Sequence, residues 1–112
     1  MANIHDPAVL IIAQRASLAL LIAGQVYGIP MEEMRRPTRG RPRAARARQI
    51  AIHLARGVFG LSRKQLAAEF RRNRATVMHA CQVIDGLRRG DAEFDSTLRW
   101  MESLLKRAAG QR

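Results

Sequence analysis

At 112 residues the chain has room for one modest hydrophobic core, and 20 Lys and Arg against 9 Asp and Glu leave a net charge of +11. That balance disfavours cationic partners and favours a polyanion; the single cysteine, Cys81, excludes an internal disulfide and fits a reducing cytosol. The excess is concentrated, since residues 35–74 hold thirteen basic side chains and one acid (Glu69) for +12, while 1–34 carry −2 and 75–112 carry +1. Eighteen of the twenty basic residues are arginine, whose planar fork matches phosphate oxygens and guanine edges.

The first predicted element is a buried helix over about 7–28. Asp6 is a good N-cap, Pro7 sits where its missing N–H costs nothing, and Gly24 or Gly28 can end the helix. Its apolar run, residues 8–23, is interrupted by Gln14, Arg15 and Ser17. That run is too short to span a bilayer and no basic segment precedes it, so neither a membrane span nor a targeting peptide is expected. Pro30, Pro37, Gly40 and Pro42 make 30–42 a loop with one turn around Met31–Met34, and a basic loop over 35–48 overlaps its second half. A helix follows from about Arg43 to Val58, with Ala47, Ile50, Leu54 and Val58 on one face and Arg46, His53 and Arg56 off it.

Gly60 stops that helix, and Ser62-x-x-Gln65 has the spacing of a capping box for a short helix over Arg63–Phe70 facing inward through Leu66 and Phe70. Asn73 then caps a longer helix with the stripe Val77, Ala80, Cys81, Ile84 and Leu87, ending near Gly90. Asp91 opens a last amphipathic helix, over about 91–108, with Phe94, Leu98, Met101 and Leu105 on one side. No alternating strand pattern and no internal repeat is present, so the fold class is all-α, one domain of five to six helices.

Residues 62–89 form a helix-turn-helix candidate, two helices joined by a few residues. A helix that approaches base edges needs short side chains in its first turn, and its positive end favours nearby phosphates. Asn73, Arg74, Ala75 and Thr76 meet that demand. The plainer alternative is a cap at Asn73, a solvated Arg74 and an incidental Thr76.

The stretches Val26–Met34, Thr38–Arg56 and Thr76–Ile84, containing RQIAIHLAR and TVMHAC, resemble the C-terminal DNA-binding domain of the bacterial replication initiator DnaA. The resemblance covers about residues 20–90. It implies a basic loop in the minor groove, phosphate contacts from the helix that begins with RQ, and a recognition helix in the major groove. By matching position, it makes Arg48 and Arg56 phosphate anchors. Arg39 or Arg41 becomes the minor-groove arm, because the family's usual arginine aligns with Gly40. With Arg43, Arg46, Arg63, Lys64, Arg72, Asn73, Arg74, Ala75 and Thr76, these residues form the candidate DNA surface.

The chain departs from the family pattern Phe-Gly-x-Arg-Asp-His-Ser/Thr-Thr-Val. It reads Phe70-Arg71-Arg72-Asn73-Arg74-Ala75-Thr76-Val77, one residue shorter in the turn. Asn73-Arg74 replaces the Asp-His pair and Ala75 replaces a hydroxyl. Arginine pairs best with guanine and alanine touches at most a thymine methyl, so a target other than the initiator's own box is expected. No Gly-x-x-x-x-Gly-Lys-Ser/Thr phosphate loop is present, which fits a stand-alone relative that keeps the DNA-reading part and lacks ATP-driven assembly.

Neither catalysis nor a cofactor is expected. His5, His53, His79 and Cys81 have no metal-ligand spacing, and His79 and Cys81 point about 200° apart on a helix. His79 is expected to pack within its own domain, and Asp91, Glu93 and Asp95 to mark a helix start. Trp100 is expected to cover the core or a partner. With one Trp, one Tyr and three Phe, a single-strand stacking platform is disfavoured. The expected function is specific binding of double-stranded DNA by a cytoplasmic, nucleoid-associated transcription regulator. The alternatives are a regulator of replication or of the nucleoid at initiator-type sites, or an adaptor that recruits a partner such as RNA polymerase. Helix one carries more apolar surface than a small core needs, around Leu10, Ile11, Leu18 and Leu21, which suits a homodimer or a protein partner.

Overall fold

Six α-helices account for the regular structure of residues 6–110, the part of the chain that the computed structural model describes. They are α1 (Pro7–Tyr27), α2 (Met31–Met34), α3 (Pro42–Phe59), α4 (Arg63–Phe70), α5 (Arg74–Gly90) and α6 (Ala92–Ala108). The described residues contain no strand, so the fold is all-α. His5 lies outside the described residues.

The helix boundaries follow local chemistry. Asp6 Oδ1 accepts from the Ala8 N–H, and Pro7 occupies the first turn of α1. Of the two glycines that could end α1, Gly28 does so, at φ 68°, while the Ile29 N–H reaches back 2.8 Å to the Gly24 carbonyl. Gly24 itself is buried within the helix. A Cβ there would sit 2.8 Å from the Ile29 carbonyl oxygen and 3.2 Å from Met34 Cγ, so the missing side chain lets the chain turn tightly onto α2. The loop predicted over 35–48 ends at Arg41: Pro42 starts α3, and Arg43, Arg46 and Arg48 are helical.

The middle of the core is α3. Ala44, Ala47, Ile50, Ala51, Leu54 and Ala55 are almost fully buried, and the small residues let α1 pack closely through Ala16, Ala19, Leu20 and Ala23. The helix is buried over more of its circumference than a single stripe predicts. His53, expected off the apolar face, is 8% exposed, and its Nε2 lies 2.8 Å from Asp85 Oδ1 on α5. Val58 is only partly buried. Leu66 and Phe70 of α4, Val77, Ala80, Cys81 and Ile84 of α5, and Leu98, Met101 and Leu105 of α6 complete the cluster. Leu87, placed in the α5 stripe by periodicity, is exposed. Trp100 is also exposed.

At 21 residues α1 is long and apolar enough to cross a membrane, so the length argument against a span does not hold. One side of it packs against α2, α3, α4 and α6, with Arg15 stacked over Phe59 at 5.1 Å. Leu18 joins the core edge, but Leu10, Ile11 and Leu21 remain exposed. Leu10 and Leu21, eleven residues apart, fall on the same side of the helix.

Candidate nucleic-acid interface

The helix-turn-helix is α4, the turn Arg71–Asn73, and α5. Its first helix has a complete capping box, in which Ser62 Oγ accepts from the Gln65 N–H and Gln65 Oε1 accepts from the Ser62 N–H. Its end is tight: Arg71 adopts φ 53°, the left-handed conformation that the family pattern assigns to glycine after the phenylalanine. The Arg72 N–H then closes on the Ala67 carbonyl. Asn73 Oδ1 accepts from the Thr76 N–H at 2.7 Å, so Asn73 does cap α5, and it stays exposed beside Arg74, Ala75 and Thr76. A first turn of short side chains thus faces solvent at the positive end of a 17-residue helix.

His79, expected to pack inward, is exposed on α5. Ala75, His79 and Gln82 are spaced i, i+4, i+7 and form one exposed face pointing away from Val77, Ala80, Cys81 and Ile84. The sequence held that signal, since the three positions fall in the gap of the apolar stripe.

Two basic elements flank this face. On one side the loop 35–41 and the start of α3 form a groove lined by Arg39, Arg48, Gln49, Arg72, Thr76 and His79. On the other side Arg56 reaches across from α3, its Nη1 3.6 Å from Met78 Sδ. Three of the sequence-selected arginines therefore share a groove with Thr76, whereas Arg56 marks the opposite flank. Arg63 and Lys64 lie exposed at the start of α4.

Several arginines spend their hydrogen bonds inside the protein. Arg41 pairs with Glu33 through both its Nε and Nη2, at 2.7 Å each, and this hydrogen bond holds the Glu33 carboxyl below its ordinary range. Arg43 donates to the Tyr27 carbonyl and Arg46 to Gln49 Oε1. Arg48, read as a phosphate anchor, is 7% exposed; its Nη1 donates to the Glu33 carbonyl at 2.8 Å, and its Nη2 is buried with no partner among the described residues. Burial, and then the neighbouring charge of Arg72, lowers the Arg48 pKa. Arg39 is left as the exposed arginine next to Gly40, which turns the loop at φ 67°. Between the two candidates for a groove arm, Arg41 is engaged with Glu33, and Arg39 makes no such pair among the described residues.

No cluster of three or more His, Cys, Asp or Glu suited to a metal occurs among the described residues. Cys81 is buried, and burial raises its thiol pKa despite the nearby Arg56.

The family model for the bacterial dnaA protein helix-turn-helix matches residues 21–84, which include the loop, α3, the turn and the first two-thirds of α5. The chain belongs to the DnaA helix-turn-helix family. It is 36% identical over 86 residues to the chromosomal replication initiator protein DnaA of Acinetobacter baumannii, a match spanning 76% of this chain and 18% of that protein. The corresponding protein of Bacteroides thetaiotaomicron is 35% identical over 74 residues, 64% of this chain and 16% of the relative. The chain thus spans less than a fifth of the length of these DnaA proteins. A crystal structure of a DNA replication initiation factor superposes with a TM-score of 0.76 over 85% of this chain and 29% of the other, at 21% identity, which speaks to the fold.

Proposed function

We propose that this DnaA-type domain binds specific sites in double-stranded DNA and acts as a transcription regulator. In this reading the exposed turn Asn73–Thr76, together with His79, reads base edges in the major groove. Arg39 reaches the adjacent minor groove from the loop 35–41, and Arg56, Arg63 and Lys64 meet phosphates. One observation carries the proposal: the only exposed face of α5 near its N-terminus is bracketed by basic side chains on both flanks. The target differs from the initiator box, because Arg74 and Ala75 replace the family's histidine and hydroxyl, and it includes at least one added guanine contact.

No catalytic role is proposed for any side chain, and the reading needs no metal or cofactor. A cytoplasmic, nucleoid-associated location follows from the proposed partner. The second reading, regulation of replication or of the nucleoid, is favoured by the relatives' description as chromosomal replication initiators. Selection from a random duplex pool, followed by mapping of bound sites in cells, tests both. A selected consensus with added guanines and promoter occupancy support the first; recovery of the unmodified initiator box with occupancy at the origin supports the second.

A further inference from the structure

Arg72 sits in the turn between α4 and α5, half-buried, and its guanidinium makes more hydrogen bonds to backbone than any other side chain of the described residues. Its Nη2 donates to the Arg36 carbonyl at 2.8 Å and to the Thr38 carbonyl at 3.5 Å. Its Nη1 donates to the carbonyls of Arg71 at 3.1 Å and Phe70 at 3.4 Å. One rigid planar group therefore spans two segments about 35 residues apart in sequence, the recognition turn and the loop 35–41. The placement brings Arg72 close enough to Arg48 for its charge to disfavour the second guanidinium. A like-charge neighbour is a poor arrangement for a cation whose purpose is charge alone. It is reasonable for a group whose donors satisfy four carbonyls.

We propose that Arg72 is a positioning residue that straps the loop 35–41 to the recognition turn and so sets the distance between Arg39 and the first turn of α5. Its consequence for binding rests on the DNA reading above, whereas the strap itself does not. The loop's other side-chain ties lie at its two ends: Arg35 donates to Ser17 Oγ at 3.0 Å, and Arg41, its last residue, grips the Glu33 carboxylate. Among Arg36, Thr38, Arg39 and Gly40, backbone carbonyls of the first two are held by Arg72.

Arg72→Lys tests the idea, because it keeps the charge and removes the planar fork. In the free protein, trypsin cleavage after Arg39 reports loop opening, since Arg36 and Arg41 precede prolines and resist the enzyme. The variant should be cut about fivefold faster than wild type while its helical circular dichroism is unchanged. An unchanged rate overturns the strap. In binding assays, Arg72→Lys should lose affinity about as much as Arg72→Ala, on the order of tenfold. Combined with Arg39→Ala, it should add almost nothing beyond the Arg39→Ala loss. Wild-type affinity of Arg72→Lys, or additive losses in the double variant, overturns the positioning role in favour of a direct phosphate contact. If no duplex is bound even by the wild type, the DNA reading fails, while the protease result still decides the strap.

Discussion

At the scale of single residues, the division of labour among the arginines is the main result. Arg41, Arg43, Arg48 and Arg72 direct their donors to protein acceptors, while Arg39, Arg56 and Arg74 remain exposed around α5. Arg74 opens α5, the proposed reading helix, so Arg74→Ala should cost about 1–3 kcal/mol on the preferred duplex and relax the preference at one or two base pairs. Arg56 lies on the flank, and Arg56→Ala should weaken preferred and random duplexes alike, because phosphates carry no sequence. Competition binding with both duplexes measures the two effects. If Arg56→Ala lost selectivity and Arg74→Ala did not, the assignment of the reading face would be wrong.

At the scale of elements, junctions between helices carry the fold. Gly24 is one such junction: Gly24→Ala should destabilise the protein by about 1–3 kcal/mol through overpacking against the Ile29 carbonyl and Met34, even though alanine is the better helix former. Urea unfolding reads this directly, and a more stable variant would contradict the close approach. The α5–α6 junction is electrostatic. Arg88 donates to Asp95 at 2.6 Å and to Glu102 at 3.0 Å, and the hydrogen bond from Arg88 lowers the Asp95 pKa. A carboxylate depressed in the folded state contributes stability above its unfolded pKa of about 4, lost as pH falls through the lowered folded value. Arg88→Met should therefore melt lower at pH 6 and show a shallower decline in melting temperature between about pH 4 and pH 2. Parallel melting curves for the two proteins across that window would show that the pair has no such role.

At the scale of the whole molecule, charge and surplus apolar surface lead to two expectations. With about six to eight exposed basic side chains meeting phosphates, log K should fall against log salt with a slope of about −5 to −7. A slope near −1 on the best duplex would exclude a broad backbone clamp. One module of this size reads few base pairs, and a single unassisted module rarely reaches the specificity a genome requires. We therefore expect paired half-sites or a protein partner, with Leu10, Ile11 and Leu21 of α1 supplying the contact. Light scattering of free and DNA-bound protein should show two copies per site, or one copy whose binding is tightened by a partner. A monomer that binds one half-site tightly and alone would leave α1 as a core helix with an incidental apolar edge.

The helical period, the caps and the glycines already determined most of the architecture. Ser62, Asn73 and Asp91 start helices, and Gly28 and Gly60 end them, because those effects act within a few residues and need no distant partner. The basic stretch and the RQIAIHLAR and TVMHAC segments likewise located the candidate surface and its family. What the sequence could not decide was where each long side chain goes. Arg48 and His53 read as polar positions on a helix face, yet α3 is enclosed by its neighbours, and both side chains turn to partners on other elements, the Glu33 carbonyl and Asp85. His79 shares its helix with buried Ala80 and Cys81 but lies on the uncovered side. Arg72 is one more arginine in a basic run until the loop 35–41 folds back beside it. Helix starts and stops are local, whereas the hydrogen-bond partners of a flexible arginine lie on other elements, from 8 residues away for Arg41 to 36 for Arg72, and come within reach only once the helices have packed.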